Sequence, residues 1–335
     1  MEVIRDPQDR VDRYRTGRSG DDDRFWQPEP HALTIGVFDG VHLGHQAVID
    51  RVRAAAVRLG VKSALVTFDP HPAELLRPEL APLLLTGLEH KLELLEQHGL
   101  DTVVVVRFDR DRAAESAESF VHSVLLDCLG AKSVIVGRDF HFGKGRLGNL
   151  ALLTEMGRVN DFEVDGQPLV DRSGVPTADG AGRSVSSTAI RAALSEGDVA
   201  TATGLLGRPH EVRGTVVAGD QRGRAIGFPT ANLMVDGRFA IPGDGVYAGW
   251  YVTPDGQRHP SAINIGRRPT FYQHAEHSVV EAHLIGFDGD LYDRPARVRF
   301  VERLRGERRF DGIEALKSQL SRDVEAAGRL LTGMS

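Results

Sequence analysis

The 335-residue chain has a single cysteine, no basic excess and no long apolar run. Cys128 alone forms no internal disulfide and no thiolate metal cluster. It lies in the apolar stretch Val124–Leu129 and is expected to be a small buried hydrophobe. No apolar run reaches membrane-spanning length, and no apolar signal core opens the chain, so a cytoplasmic protein is expected. Lys and Arg total 41 against 47 Asp and Glu, a net charge of −6, which argues against sequence-independent nucleic-acid binding. Neither a nucleic acid nor a membrane is expected as a partner. Aromatic residues are few at 6%, but hydrophobic (41%) and charged (26%) residues are at ordinary globular levels. A chain of this length buries a core without covalent staples and suggests two domains.

What the chain has in excess is glycine, 37 residues or about 11% against a typical ~7%. Residues 1–30 carry mixed charge (Arg5, Asp6, Asp9, Arg10, Asp21–Asp23) without apolar periodicity and read as a flexible arm, anchored at most near Phe25 and Trp26. From His31 strands alternate with helices. Strands are expected at Ala32–Val37, Val61–Phe68, Thr102–Phe108 and Ser133–Val136. Helices are expected at Gln46–Leu59, from Thr86 with a Thr86/Glu89 capping box, and at Ala117–Leu129. That alternation implies a parallel sheet with covered faces and ligands at the carboxyl ends of its strands. After about Gly204, short strand-like runs follow at Val212–Val217, Val246–Val252, Ala262–Ile265, Val279–Ile285 and Ala296–Phe300. They read as an antiparallel sheet or small barrel, closed by an amphipathic helix with Ile313, Leu316, Leu320, Val324 and Leu331 on one stripe. The domains are therefore expected at 31–195 and 205–332, with a boundary between Ser195 and Arg208.

Two constellations carry chemistry. The turn after the first strand reads Gly36-Val37-Phe38-Asp39-Gly40-Val41-His42-Leu43-Gly44-His45. Gly40 and Gly44 permit close backbone approach, and the following helix offers N–H groups to an anion. His42 and His45, three apart, share one face of the first turn and suit charge on a phosphoryl group better than zinc, for which a third ligand at helical spacing is missing. Ser186-Ser187-Thr188, with Arg191 one turn on, offers hydroxyls and a cation to a phosphate, although a plain helix cap explains Thr188 equally well. Asp69 and Asp139 each follow a strand; Asp139 is equally a turn aspartate. Lys144 and Arg146 are mobile or merely solvated cations.

The second constellation is Gly219–Asn232, which lacks the spacing of a Walker P-loop. Gly223 and Gly227 still permit a phosphate-wrapping loop. Thr230 and Asn232, two apart in an extended segment, share a face and present hard oxygen donors suited to Mg²⁺. Alternation puts Glu281 and His283 on the face opposite Val280, Ala282 and Leu284, so pattern alone leaves Glu281 facing solvent.

The first turn resembles the HxGH signature of adenylyl-transferring nucleotidyltransferases. With Thr67–Pro72, Val136–Gly145 and Val185–Arg191 it resembles the N-terminal half of the bacterial bifunctional riboflavin kinase/FMN adenylyltransferase (FAD synthetase) family. Gly223–Asn232, Pro242–Gly249, Asn264–Gly266, Pro269–Phe271 and Glu281–His283 resemble that family's riboflavin kinase module. The resemblance covers about residues 31–332. It implies an α/β Rossmann-like nucleotidyltransferase domain followed by a small antiparallel β-barrel kinase domain with a C-terminal helix.

It further implies phosphorylation of riboflavin to FMN and adenylylation of FMN to FAD, each from ATP with Mg²⁺. His42 and His45 would stabilise the transferring phosphoryl group. Gly36, Phe38, Gly40, Gly44, Asp139, Ser186, Ser187, Thr188 and Arg191 would bind ATP, and Asp69 the flavin. In the kinase, Gly223, Gly227, Thr230 and Asn232 would hold Mg-ATP, and Glu281 would be the base. The partners expected are small molecules, with a monomer or weak oligomer. The alternative is that one module has lost turnover and survives as a flavin- or nucleotide-binding regulatory domain. Two departures stand out: Val37, where the family pattern has a polar residue, and Asp293, where it has a glycine.

Overall fold

The computed structural model describes residues 1–8, 28–168, 185–219, 222–267 and 278–334. Asp9, Arg10, Asp21–Asp23, Phe25, Trp26 and Pro269–Phe271 lie outside the described residues. Two compact units emerge, Met1–Pro82 with Thr86–Val185, and Leu83–Leu85 with Ser186–Ser335.

The first unit is a six-stranded sheet in which every described pairing is parallel. Its strands are β1 (Glu2–Arg5), β2 (His31–Ile35), β3 (Lys62–Asp69), β4 (Thr102–Arg107), β5 (Ala131–Gly137) and β6 (Glu163–Gln167), in the spatial order β1-β4-β3-β2-β5-β6. The first strand corrects the reading of the opening residues as arm. Glu2–Arg5 pairs with Thr102–Val105, and Ile4 is fully buried. Four residues are too few to show periodicity, and a neighbouring strand edge supplies what the local pattern lacks. Chain order runs from β2 outward through β3 to β4, then returns to β5, so β2 and β5 flank the topological switch point.

Helix α1 (Leu43–Leu59) follows β2 and ends on Gly60 in the left-handed region. Helix α2 (Leu88–Gln97) begins two residues later than expected, with Gly87 as N-cap and no side-chain cap. The expected capping box does not form, because Thr86 is engaged elsewhere, as described below. The helix expected over Ala117–Leu129 is α-helical only to Phe120 and continues as a wide π-turn over Val121–Leu126. Cys128 is buried in the core with Val124, Leu125 and Leu129. Helix α3 (Leu150–Asn160) precedes β6.

In the second unit, α4 (Ser187–Ser195) packs on α5 (Val199–Leu206) and α5 on the barrel, so compactness divides the chain at Val185/Ser186 rather than between Ser195 and Arg208. The barrel strands are β7 (His210–Val217), β8 (Ala231–Met234), β9 (Gly245–Val252), β10 (Arg258–Arg267), β11 (Ser278–Leu284) and β12 (Pro295–Arg305). They close antiparallel in the order β8-β11-β10-β9-β12-β7. Val216, Leu233, Tyr247, Tyr251, Ile263, Ile265, Val280, Ala282, Val298 and Phe300 fill the interior. Helix α6 (Ile313–Thr332) covers the outer residues Ala248, Trp250 and Val252 with Ala327 and Leu331. Its apolar stripe starts at Leu316: Ile313, in the first turn, is 60% exposed. Among the described residues no helix is long and apolar enough to cross a membrane.

Candidate active sites

In the sheet unit, three neighbouring strands deliver the expected residues to one edge. β3 ends on Asp69, β2 leads into the Gly36–Gly44 turn, and β5 leads to Asp139. Asp69 and Asp139 are exposed there, and Asp139 stands at the switch point. The turn leaves regular geometry: Phe38 (φ 53), Gly40 (φ 83) and Val41 (φ 41) are all left-handed. For Phe and Val this costs about 1–2 kcal/mol each. Gly36 donates its N–H to Val66 O at 3.0 Å, and Asp39 accepts from Thr86 N at 3.0 Å and Thr86 Oγ1 at 3.3 Å. Thr86 Oγ1 accepts in turn from Gly40 N at 3.0 Å.

The turn ends in the two histidines. His42 caps α1, its Nδ1 accepting from His45 N at 3.2 Å. The two imidazoles stack with centroids 3.6 Å apart and planes 15° apart, and the Phe38 ring lies 4.7 Å from His45. Expectation and structure agree that the pair shares one face. A methyl group on Gly44 would lie 3.2 Å from the His42 ring and 3.3 Å from Val185 O, so glycine allows Val185 to pass close to the pair.

Ser186, Ser187, Thr188 and Arg191 belong to the second unit. The N-cap of α4 is Ser186, whose Oγ accepts from Ala189 N at 3.2 Å, rather than Thr188, which is exposed. Arg191 donates to Leu83 O. Lys144 and Arg146 are exposed on a short 3₁₀ turn.

The barrel carries a cleft of about 510 Å³ lined by residues including Arg224, Thr230, Asn232, Asp288 and Asp290. Thr230 and Asn232 share it as their spacing predicts, and Asn232 is 7% exposed. Beneath the preceding loop, a methyl group on Gly223 would overlap the Phe228 carbonyl oxygen, while Gly227 is at φ 92. Val280, Ala282 and Leu284 point inward and Glu281 outward. Glu281 lies directly across from Asn232 on β8 and from Asn264 on β10, so two amides flank its carboxylate on the outer face. Glu281 does not itself line the cleft; it adjoins it through Asn232.

Sequence reasoning missed two residues. His283 holds the loop by a 2.7 Å contact from Nδ1 to Pro229 O, with Phe228 edge-on at 5.5 Å. Its alternation with Glu281 was visible, but its partner was not. Lys91 is the other. It is 5% exposed, and its Nζ donates to Val37 O at 3.0 Å and to Thr67 Oγ1 at 3.3 Å. Burial pushes its pKa down, while the Asp39 and Asp69 carboxylates pull it up. The signal was a lysine on the Leu88/Leu92/Leu95 face of a helix.

Comparison with known proteins agrees with both halves. The family pattern for FAD synthetase matches residues 25–180, and that for riboflavin kinase matches residues 206–331. The bifunctional riboflavin kinase/FMN adenylyltransferase of Pseudomonas fluorescens is 41% identical over 89% of this chain and 92% of its own length. That of Escherichia coli K12 is 38% identical over 90% and 93%. A crystal structure described as a macrolide-efflux protein from Streptococcus pneumoniae is 27% identical, with a TM-score of 0.81 over 98% of this chain and 99% of its own. The chain belongs to the bifunctional riboflavin kinase/FMN adenylyltransferase family.

Proposed function

We propose that each unit performs one of two successive steps of flavin coenzyme synthesis. The barrel is a riboflavin kinase: the ribityl 5′-hydroxyl attacks the γ-phosphorus of ATP, and FMN and ADP are the products. The sheet unit is an FMN adenylyltransferase: an FMN phosphate oxygen attacks the α-phosphorus of a second ATP, and pyrophosphate leaves with FAD formed. The observation that carries this reading is the pair of stacked imidazoles at the carboxyl end of the central strand, 3.6 Å apart.

His42 and His45 stabilise charge on the α-phosphoryl group in flight. Gly36, Phe38, Gly40 and Gly44 shape the nucleotide turn, and Asp139 contacts the nucleotide across the switch point. Asp69 contacts the flavin. Ser186, Ser187, Thr188 and Arg191 hold the departing pyrophosphate.

In the barrel, Glu281 takes the proton of the attacking hydroxyl, oriented by its flanking amides. Gly223 and Gly227 let the loop backbone reach the phosphates. Mg²⁺ enters with ATP as part of the substrate. The Thr230 hydroxyl, the Asn232 amide oxygen and the Asp288 and Asp290 carboxylates lining the cleft are hard oxygen donors and fit it. Bound there, the ion neutralises phosphate charge. The reactions take place in the cytoplasm on small molecules, by a monomer or weak oligomer.

Assaying riboflavin and FMN separately as substrates tests the division of labour. The double variant His42→Ala/His45→Ala is expected to lower FAD formation by about 10³-fold or more and to leave FMN formation within twofold. Glu281→Ala is expected to do the reverse, by about 10²–10⁴-fold. A wild-type rate in the assigned reaction removes that role. FMN as sole product of the unaltered chain favours a sheet unit that only binds.

A further inference from the structure

Helix α2 places a lysine where its neighbours call for an aliphatic residue. Lys91 lies three residues after Leu88 and four before Leu95, and it is buried with Leu92, Leu94 and Leu95. Burying an ammonium costs several kcal/mol unless its protons are used. A leucine or methionine would fill the same space without that cost. The ammonium is used at the Val37 carbonyl, 3.0 Å away, and at Thr67 Oγ1. Thr67 Oγ1 donates to the same oxygen at 2.9 Å and lies 3.3 Å from Lys91 Nζ, which closes a triangle of three polar groups.

Val37 is the last residue before the turn in which Phe38, Gly40 and Val41 are left-handed, which lies beyond the end of β2. Among the holds that oppose its relaxation are Gln46 Nε2 from α1 on Val41 O at 2.9 Å and two from the α2 region. Thr86 fixes Asp39 and Gly40, and Lys91 fixes Val37. Two residues past Thr67, the same β3 strand ends on Asp69, so Lys91 also ties the histidine turn to the strand that presents Asp69. A shift at Val37 moves Phe38, whose ring packs on His45, and then His42.

The geometry points to Lys91 as a positioning residue of the adenylylation site: its buried ammonium clamps the Val37 carbonyl to Thr67 and so holds the His42/His45 pair in register with the Asp69 strand. It touches neither histidine and acts through the backbone of the turn. The inference rests on the adenylyltransferase reading above.

The test uses the full chain and the variants Lys91→Met, Lys91→Gln and His42→Ala. Lys91→Met keeps the stem and removes the donors; Lys91→Gln keeps a donor without the charge. Lys91→Met is expected to lower kcat for FAD formation about 10–100-fold while KM for ATP and FMN stays within about threefold. Lys91→Gln is expected to fall between it and wild type, and FMN formation stays unchanged in both. In ¹H–¹³C spectra of histidine-labelled protein, the His42 and His45 resonances shift in Lys91→Met while those of remote histidines do not. If Lys91→Met does not fold, the same readouts on Lys91→Gln decide. FAD formation within twofold of wild type overturns the proposal, as does a loss carried by KM with the two resonances unmoved. His42→Ala separates the two failures: if it too retains FAD formation, the adenylyltransferase reading has failed; if it alone abolishes FAD formation, only the role of Lys91 has.

Discussion

The two units place the groups proposed to react by opposite means. In the sheet unit the proposed chemistry stands where the backbone leaves regular structure, on a turn with Phe38 and Val41 at positive φ, supported by Thr86 and Lys91. In the barrel, Glu281 stands inside regular structure, between Asn232 and Asn264 in the strand register. A turn can aim two rings at one point but needs props. A register needs none, yet a slip of one residue would turn Glu281 into the barrel interior. Strain therefore marks the first site and is missing from the strand that carries the second.

Glycine substitutions sharpen this contrast with the largest expected effect. At Gly223 a methyl group would overlap a backbone oxygen outright; at Gly44 it meets a ring and a backbone carbonyl at 3.2–3.3 Å, a crowding that a shift of a few tenths of an ångström relieves. Gly223→Ala should lower FMN formation about 100-fold, and Gly44→Ala should lower FAD formation about tenfold, each leaving the other reaction intact. Equal losses from the two would break the distinction between a rigid and a yielding site.

The next effect concerns what fastens the barrel. Arg305 on β12 makes a two-pronged pair with Asp323 on α6, with Nε–Oδ1 at 3.1 Å and Nη2–Oδ2 at 2.8 Å, and both side chains are nearly buried. Breaking such a pair from one side costs about 3–5 kcal/mol. Asp323→Asn should lower barrel stability by about 3 kcal/mol, read from urea unfolding by the fluorescence of Trp250, which packs under α6. Calorimetry should show the sheet unit's transition unmoved; a joint shift would mean that the two units unfold as one.

The smallest effect lies at the amino-terminal edge of the sheet, away from the strained turn. Ser63 N and Oγ donate to Asp101 Oδ2 at 2.8 and 2.7 Å. These bonds, the hydroxyl first, hold the Asp101 carboxyl below its ordinary value of 3.8. Because the folded-state pKa is depressed, the stabilisation is present above about pH 4 and fades as pH falls through the lower folded value. With solvent screening it amounts to about 1 kcal/mol or less. Ser63→Ala should cost that much at pH 7 and less at pH 3, with both reactions unchanged. A loss independent of pH would assign it to the serine's packing instead.

Much of this was legible in the residues. The parallel sheet followed from the alternation of apolar runs and helical stripes, and the barrel from short runs parted by Gly, Pro and Asp. The histidine pair and the Thr230/Asn232 face followed from spacing. What was hidden depended on distant partners. Glu2–Arg5 is a strand because β4 offers an edge. Thr86 looks like a helix cap locally, but Asp39, 47 positions away, takes its donors. Ser187–Ser195 reads as the end of the first domain by composition, yet its contacts join it to the barrel unit. Asp293, where the resemblance leads one to expect glycine, is at φ 58, a conformation that aspartate tolerates better than most side chains.

Val37 contributes its carbonyl to the turn, with two donors within 3.0 Å, and the rest of the residue is incidental to that bond. Its side chain takes no part in that bond, so an apolar residue can stand where the resemblance leads one to expect a polar one. An inhibitor built to grip that side chain would be escaped by a substitution that leaves the carbonyl bonds intact. One that displaced a donor from the carbonyl would offer no such exit.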